Sequence, residues 1–170
     1  MEIVTTQVKH AAALSDYYLR NAERFTPWQP HVSPGHHSVV AWQQRLQDRE
    51  RDYREGRAVH FIALDGDRVI ASCSLTNIIY HPAYYCHLGY SVDAQHEGTG
   101  KMSQLVRHAV DYGFNTLRLN RVCASYMPSN TRSARLLERL GFEKEGFARR
   151  YLRINGRWED HVLTALINPE

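Results

Sequence analysis

The stretch QHEGTGKMS, residues 95–103, sets two glycines and a lysine at the head of an amphipathic run, the composition of a loop that holds phosphate. Three loop types do this with backbone N–H groups. A Walker loop needs GxxxxGK followed directly by Ser or Thr. Here Gly100-Lys101 is followed by Met102, and the first glycine position falls on Gln95. A dinucleotide fingerprint needs GxGxxG and an acidic residue about 20 positions on. Its third glycine position is Ser103, and no acidic residue is well placed. The form Gln-x-x-Gly-x-Gly fits, through Gln95, Gly98 and Gly100. Glycines let successive N–H groups turn inward, and the helix start adds a partial positive charge, so pyrophosphate can be held without a side-chain cation. The same two glycines could equally do no more than begin a helix.

Other residue types narrow the chemistry by elimination. Cys73, Cys86 and Cys123 are odd in number, contain no CxxC and sit in apolar, strand-like segments, which fits reduced core thiols of a cytoplasmic protein. His31, His36 and His37 share one loop, but no spacing matches a zinc motif and no cysteine or carboxylate completes one, so no metal is expected. The net charge of +3 is mild, and no Lys/Arg run forms a stripe. Direct nucleic-acid binding is therefore not expected, although one anionic ligand is. No apolar run approaches the roughly 18 residues of a membrane span, and MEIVTTQVKH lacks the basic-then-apolar order of a signal peptide.

The elements that must position the loop are legible from periodicity. Residues 2–8 read as a strand, 11–23 as a helix, 26–38 (three prolines) as a loop and 38–55 as a second helix. The far half of that helix, QDRERDYRE, reads as a solvated face. AVHFIAL and RVIASCSLT flank Asp65-Gly66-Asp67 as a hairpin, and YCHLGYSV, residues 85–92, is a third strand. Met102, Leu105, Val106, Ala109 and Val110 form one helical face after the glycine loop. A strand over 120–127 follows, then a short helix capped by Ser129 or Asn130 and ended by Gly141. YLRINGRWEDHVLTAL carries Asn155-Gly156, a type I′ hairpin signal. The result is a single domain, residues 1–170, of mixed α/β class.

HLGYSVDAQHEGTGKM resembles the central motif of the GNAT superfamily of N-acetyltransferases, and NTRSARLLERLGFEKEG resembles its second coenzyme A motif. Within it, TPWQP, CHLGYSVD, ASYMPSNTRSARLLERLGFEKEG and YLRINGRWEDHVLTAL, in that order, look like the RimJ-type enzymes, which modify the N-terminal alanine of a ribosomal protein. The likeness is densest from Cys86 to Leu166 and looser in the N-terminal helices.

This resemblance implies a strongly twisted mixed sheet whose strands 85–92 and 120–127 splay apart around acetyl-CoA. Backbone groups near Ser91 and Val92 would pair with the pantetheine. Gln95, His96, Glu97, Gly98, Thr99, Gly100, Lys101 and Met102 would surround the pyrophosphate, and Asn130 and Ser133 would face the pantetheine and sulfur. Many superfamily members protonate the thiolate with a tyrosine at the position of Leu137; RimJ- and RimL-like enzymes implicate Ser133 instead. The glutamate base of RimL-like enzymes matches Leu152, which leaves His87, Tyr126 and Glu97 as base candidates, Glu97 being expected to face solvent. Trp28 would lie over the acceptor, with Asn77, Tyr80 and Tyr126 nearby. An α-amino acceptor, with a pKa of about 8 against about 10.4 for lysine, makes a weak base sufficient. The expected partner is a protein N-terminus, which the resemblance implies is that of a ribosomal protein, with no membrane involved. A small amine such as an aminoacyl nucleotide is a rival acceptor, and a non-catalytic coenzyme A module is a rival function.

Overall fold

Alternating apolar positions and tight turns build the sheet, and two helical layers cover its faces. The structure, a computed structural model, describes residues 1–170. The strands are β1 (Glu2–Thr5), β2 (Val59–Asp65), β3 (Arg68–Ile79), β4 (Tyr85–Val92), β5 (Arg121–Tyr126), β6 (Glu143–Ile154) and β7 (Arg157–Ile167). The helices are α1 (Ala11–Arg20), α2 (Ala22–Phe25), α3 (Val39–Arg54), α4 (Lys101–Asp111) and α5 (Thr131–Arg139). The sheet order is β1-β2-β3-β4-β5-β7-β6.

Every neighbouring pair is antiparallel except β4 and β5, which run parallel for only three residue pairs, ending at His87 and Cys123. Beyond them the strands part. β5 remains paired with β7 along its whole length, from Arg121 with Ile167 to Tyr126 with Val162, while β4 stays on β3 as far as Val92. This is the split that the phosphate loop borders. The main core lies on the face covered by α4 and α5 and includes Leu105, Val106, Ala109, Leu136 and Leu137. A smaller core, with Leu14, Tyr17, Trp42, Leu46 and Ile62, lies under α1 and α3 on the other face.

Several boundaries differ from expectation. The first strand stops at Thr5, because the His10 ring accepts from the Gln7 N–H at 3.0 Å and turns the chain. The first helix ends at Arg20 rather than residue 23. Asn21 returns its side-chain amide to the Tyr17 carbonyl (2.9 Å) and lends its oxygen to the Ala94 N–H (3.2 Å), competing with helix continuation. The charged half of α3 is not wholly solvated: its Arg49 lies over the Trp42 ring, 5.0 Å from the centroid, beside Arg45 of the preceding turn at 4.3 Å. β6 begins at Glu143, well before Tyr151, and carries a bulge between Ala148 and Leu152 that obscures its alternation. The two hairpin turns form as read, with Asn155 and Gly156 at φ of 47° and 79°, as a type I′ turn requires.

Candidate active site

The glycine loop is tied down before it reaches the glycines. Asp93, 2% exposed, follows β4 directly. Burial pushes its carboxyl up, but Arg20 at 3.0 Å, with Asn21 and Arg68 (3.6 Å), outweighs burial and holds it below the ordinary carboxylate range. A depressed carboxylate stabilises the fold above its unfolded pKa and loses that contribution as pH falls through its folded one. Asp93→Ala therefore costs about 2 kcal/mol at pH 7, less than a fully enclosed ion pair because both arginines keep some solvent. Thermal melts from pH 7 to pH 3 check this. The gap between wild type and variant closes only below about pH 4; coincident melts at pH 7 would remove Asp93 as the anchor.

Past a short turn at Ala94–His96, Gly98 and Gly100 take φ of 69° and 79°, and α4 begins at Lys101. The backbone N–H groups of residues 98–103 donate to no other group of the chain. A Cβ built on either glycine would meet no atom within 4 Å. Six N–H groups at the start of a strongly amphipathic helix, with room for a diphosphate against them, make an anion cradle. Thr99 folds its hydroxyl back onto the His96 carbonyl (2.6 Å), and Met102 packs on the main core. His96 is half-buried with Nδ1 3.6 Å from Asp93, while Gln95 is exposed. Glu97 does not face solvent freely; it is ion-paired with both Arg24 and Arg132, and so links the loop to the start of α5.

Across the split, the Asn130 side chain caps α5 by accepting from the Ser133 N–H at 3.2 Å. The Ser133 hydroxyl is hydrogen-bonded to the Tyr90 hydroxyl of β4, a residue that sequence reasoning missed. Burial pushes the Tyr90 phenol up to about 12, against the opposing effect of its bond to Ser133. It is therefore protonated at neutral pH and can donate to Ser133. Leu137 is 1% exposed in the core and offers no hydroxyl.

Just past β4 the Asp93 N–H donates to the Ile70 carbonyl of β3 at 2.8 Å, so Ser91 and Gly89 direct their backbone groups to β3 and the residues alternating with them direct theirs toward β5. Past His87 those residues are Leu88, Tyr90 and Val92, and they border the split. Ser91 was expected to offer backbone groups there, but strand parity turns it toward Ser72 of β3. Its hydroxyl lies in a chain running Tyr17–Ser91–Ser72–Tyr18, at 2.9, 3.1 and 3.3 Å. The Val92 carbonyl is taken by Arg24.

His87 alternates with the core residues Cys86 and Leu88, so it points to the opposite face, the one that carries α1 and α3. It is half-buried, and burial lowers its pKa, leaving a neutral ring that can accept a proton. Tyr126 is instead buried in the main core, because the same parity puts it in line with Val122 and Ala124. It does not share the His87 face. The Cys86 thiol is pushed up to about 12 by burial and Cys123 is raised for the same first reason, so neither is an activated nucleophile. Asn77 lies in a bulge of β3 between the Thr76–His87 and Ile79–Tyr85 pairs, whereas Tyr80 is exposed beside Gly56, at the closed end of the split. Trp28 is 41% exposed, and the neighbouring Gln29 carbonyl accepts from the Asn155 N–H at 2.9 Å, which joins this loop to the last hairpin. Of the loop histidines, His37 is stacked on Tyr18 (4.7 Å between centroids), and burial drives its pKa down to about 4.

The comparisons with known proteins agree with this architecture. A family model described as an acetyltransferase (GNAT) domain matches residues 2–143. The [ribosomal protein uS5]-alanine N-acetyltransferase of Escherichia coli (strain K12) is 39% identical over 164 residues, covering 95% of this chain and 84% of that protein. A probable N-acetyltransferase, YjcK, of Bacillus subtilis is 42% identical over 132 residues, covering 78% of this chain and 70% of that one. The ribosomal-protein-S5-alanine acetyltransferase of Vibrio fischeri superposes with a TM-score of 0.96 at 35% identity, over 99% of this chain and 93% of that one. Mycobacterium smegmatis RimJ in complex with CoA-disulfide gives 0.91 at 27% identity, over 99% and 83%.

Proposed function

The chain belongs to the GNAT acetyltransferase domain family, and from that premise we propose that it moves the acetyl group of acetyl-CoA onto the α-amino group of a protein N-terminus, alanine or serine first. The carrying observation is the row of unpaired N–H groups at residues 98–103, opening a helix at the edge of a split sheet. Its donor set suits the diphosphate of coenzyme A, and Leu88 and Tyr90 offer the strand edge along which a pantetheine amide can pair. The relatives named for uS5 alanine support the choice of acceptor.

The chemistry is attack of a neutral amine on the thioester carbonyl, with loss of the amine proton and protonation of the departing thiolate. We assign the thiolate side to Ser133, whose hydroxyl is held by Tyr90 and whose N–H is fixed by Asn130. His87, neutral and on the face away from the main core, accepts the amine proton. Trp28, on the loop tied to Asn155, covers the acceptor, with Asn77 beside it.

Thiol release from acetyl-CoA, with mass spectrometry of the acceptor, tests the proposal. Ala- and Ser-starting peptides should be acetylated at the N-terminus, and a lysine peptide with a blocked N-terminus should react at least 100-fold more slowly, since its amine is far less deprotonated at neutral pH. Turnover confined to an aminoacyl-nucleotide analogue would replace the peptide acceptor with a small molecule. Tight acetyl-CoA binding with no turnover on any acceptor would leave only a binding module.

A further inference from the structure

The modest net charge of the chain conceals a local concentration. The end of the β6–β7 hairpin carries Arg149, Arg150, Arg153 and Arg157 in RRYLRINGRW, residues 149–158, with Glu159 and Asp160 directly behind it, the Asp160 carboxylate accepting from the Arg150 backbone N–H at 2.8 Å. All four arginines are exposed and none is ion-paired, although the Arg153 guanidinium donates through Nε to the Gly156 carbonyl at 3.3 Å. Elsewhere the arginines that matter to the fold are matched: Arg20 with Asp93, Arg24 and Arg132 with Glu97, Arg57 with Asp52, Arg121 with Glu145. Trp158, 54% exposed, lies directly across from Arg153 and shares its face, Arg157 lies across from Ile154 on the other face of the ribbon, and Tyr151, 38% exposed, has its ring 5.7 Å from that of His161.

We propose that this hairpin end is an RNA-docking surface. Unpaired guanidiniums bind phosphate in a planar, two-pronged fashion, and exposed aromatic faces beside them stack on unpaired bases. An acidic peptide would meet the charges but leave the rings unused. A second copy of the chain is disfavoured. It would carry the same positive charge, and the β6 edge on which it would add a strand is broken by the bulge between Ala148 and Leu152, where Arg150 takes a φ of 50°. The Asn155–Gln29 hydrogen bond sets this surface beside the Trp28 loop, so RNA held there lies next to the proposed acceptor side. Docking does not depend on the proposed acceptor, because it is read without acetyl-CoA or peptide.

Fluorescence anisotropy with a labelled 20-nucleotide RNA stem-loop, from 50 to 200 mM KCl, tests it, with a poly-glutamate peptide of equal charge as competitor. The wild type should bind in the micromolar range at low salt, with a log–log salt slope of about −3 for four phosphate contacts. Arg153→Glu with Arg157→Glu should weaken binding at least 10-fold and reduce the slope by about 2. Trp158→Ala should weaken it several-fold without moving the slope. Acetylation of an Ala-starting peptide within twofold of wild type shows that each variant is folded. Unchanged RNA affinity in the double variant, or poly-glutamate competing as well as RNA itself, would overturn the proposal.

Discussion

Ser133→Ala lowers kcat by about 100-fold while the Kd for acetyl-CoA stays within twofold. A positioned proton donor contributes 10²–10⁴-fold, and the lower end applies because water reaching the split can replace part of the hydroxyl's role. Binding should be retained because the unpaired N–H groups of residues 98–103, proposed above to hold the diphosphate, lie on the other side of the split. Tyr90→Phe sharpens the test. In the role assigned to Ser133, its hydrogen-bond partner Tyr90 donates to the Ser133 oxygen, the direction that leaves the serine proton free to point at sulfur. It acts through Ser133, so its loss costs less, about 10-fold. The double variant should be no slower than Ser133→Ala alone, since groups that work as a unit are not additive. The phenol, held near 12, does not titrate at working pH, so the pH profile of Tyr90→Phe should keep its shape. An unchanged kcat in Ser133→Ala removes the serine from the thiolate, and full additivity would separate Tyr90 from it.

Gly98→Asp raises the Kd for acetyl-CoA by about 1000-fold. At about 4 Å and an effective dielectric near 20, a carboxylate repels one phosphate charge by roughly 4 kcal/mol. The new side chain would also stand in the space in front of the N–H groups. The fold should survive. Nothing lies within 4 Å of the added Cβ, and aspartate is one of the few residues that tolerates a left-handed φ, here 69°. Isothermal titration with acetyl-CoA, beside a melting curve close to wild type, gives the comparison. Micromolar affinity in the variant would mean that the diphosphate lies elsewhere.

The two experiments probe features of different legibility. The glycine loop and the amphipathic helix behind it were readable because both are local: positive-φ glycines, a missing cap and a 3.6-residue period lie within 16 residues of one another, from Gln95 to Val110. The Tyr90–Ser133 contact joins residues 43 apart, and nothing in CHLGYSVD distinguishes Tyr90 from a packing tyrosine. Glu97 looked solvated because its two arginine partners come from α2 and α5. Tyr126 looked like an acceptor contact because it ends the right strand, and only sheet parity shows it buried on the opposite face.

By itself the sequence determined the mixed α/β class, the hairpin turns at Gly66 and Asn155-Gly156 and a helix capped by Ser129 or Asn130, because these rest on backbone preferences and periodicities that each segment carries alone, and its motifs carried the resemblance to the family; the structure chose Asn130 as the cap. Tertiary structure decided where the split lies, which backbone groups of β4 border it, and how Gln29 meets Asn155. A two-residue period tells which side chains share a face and leaves open which strand lies alongside and for how many residues. Here β4 and β5 stay together for three pairs and then part, each still held along its outer edge, β5 by six pairs to β7 and β4 by β3. Those outer pairings, the β5–β7 one between segments distant in sequence, frame the site.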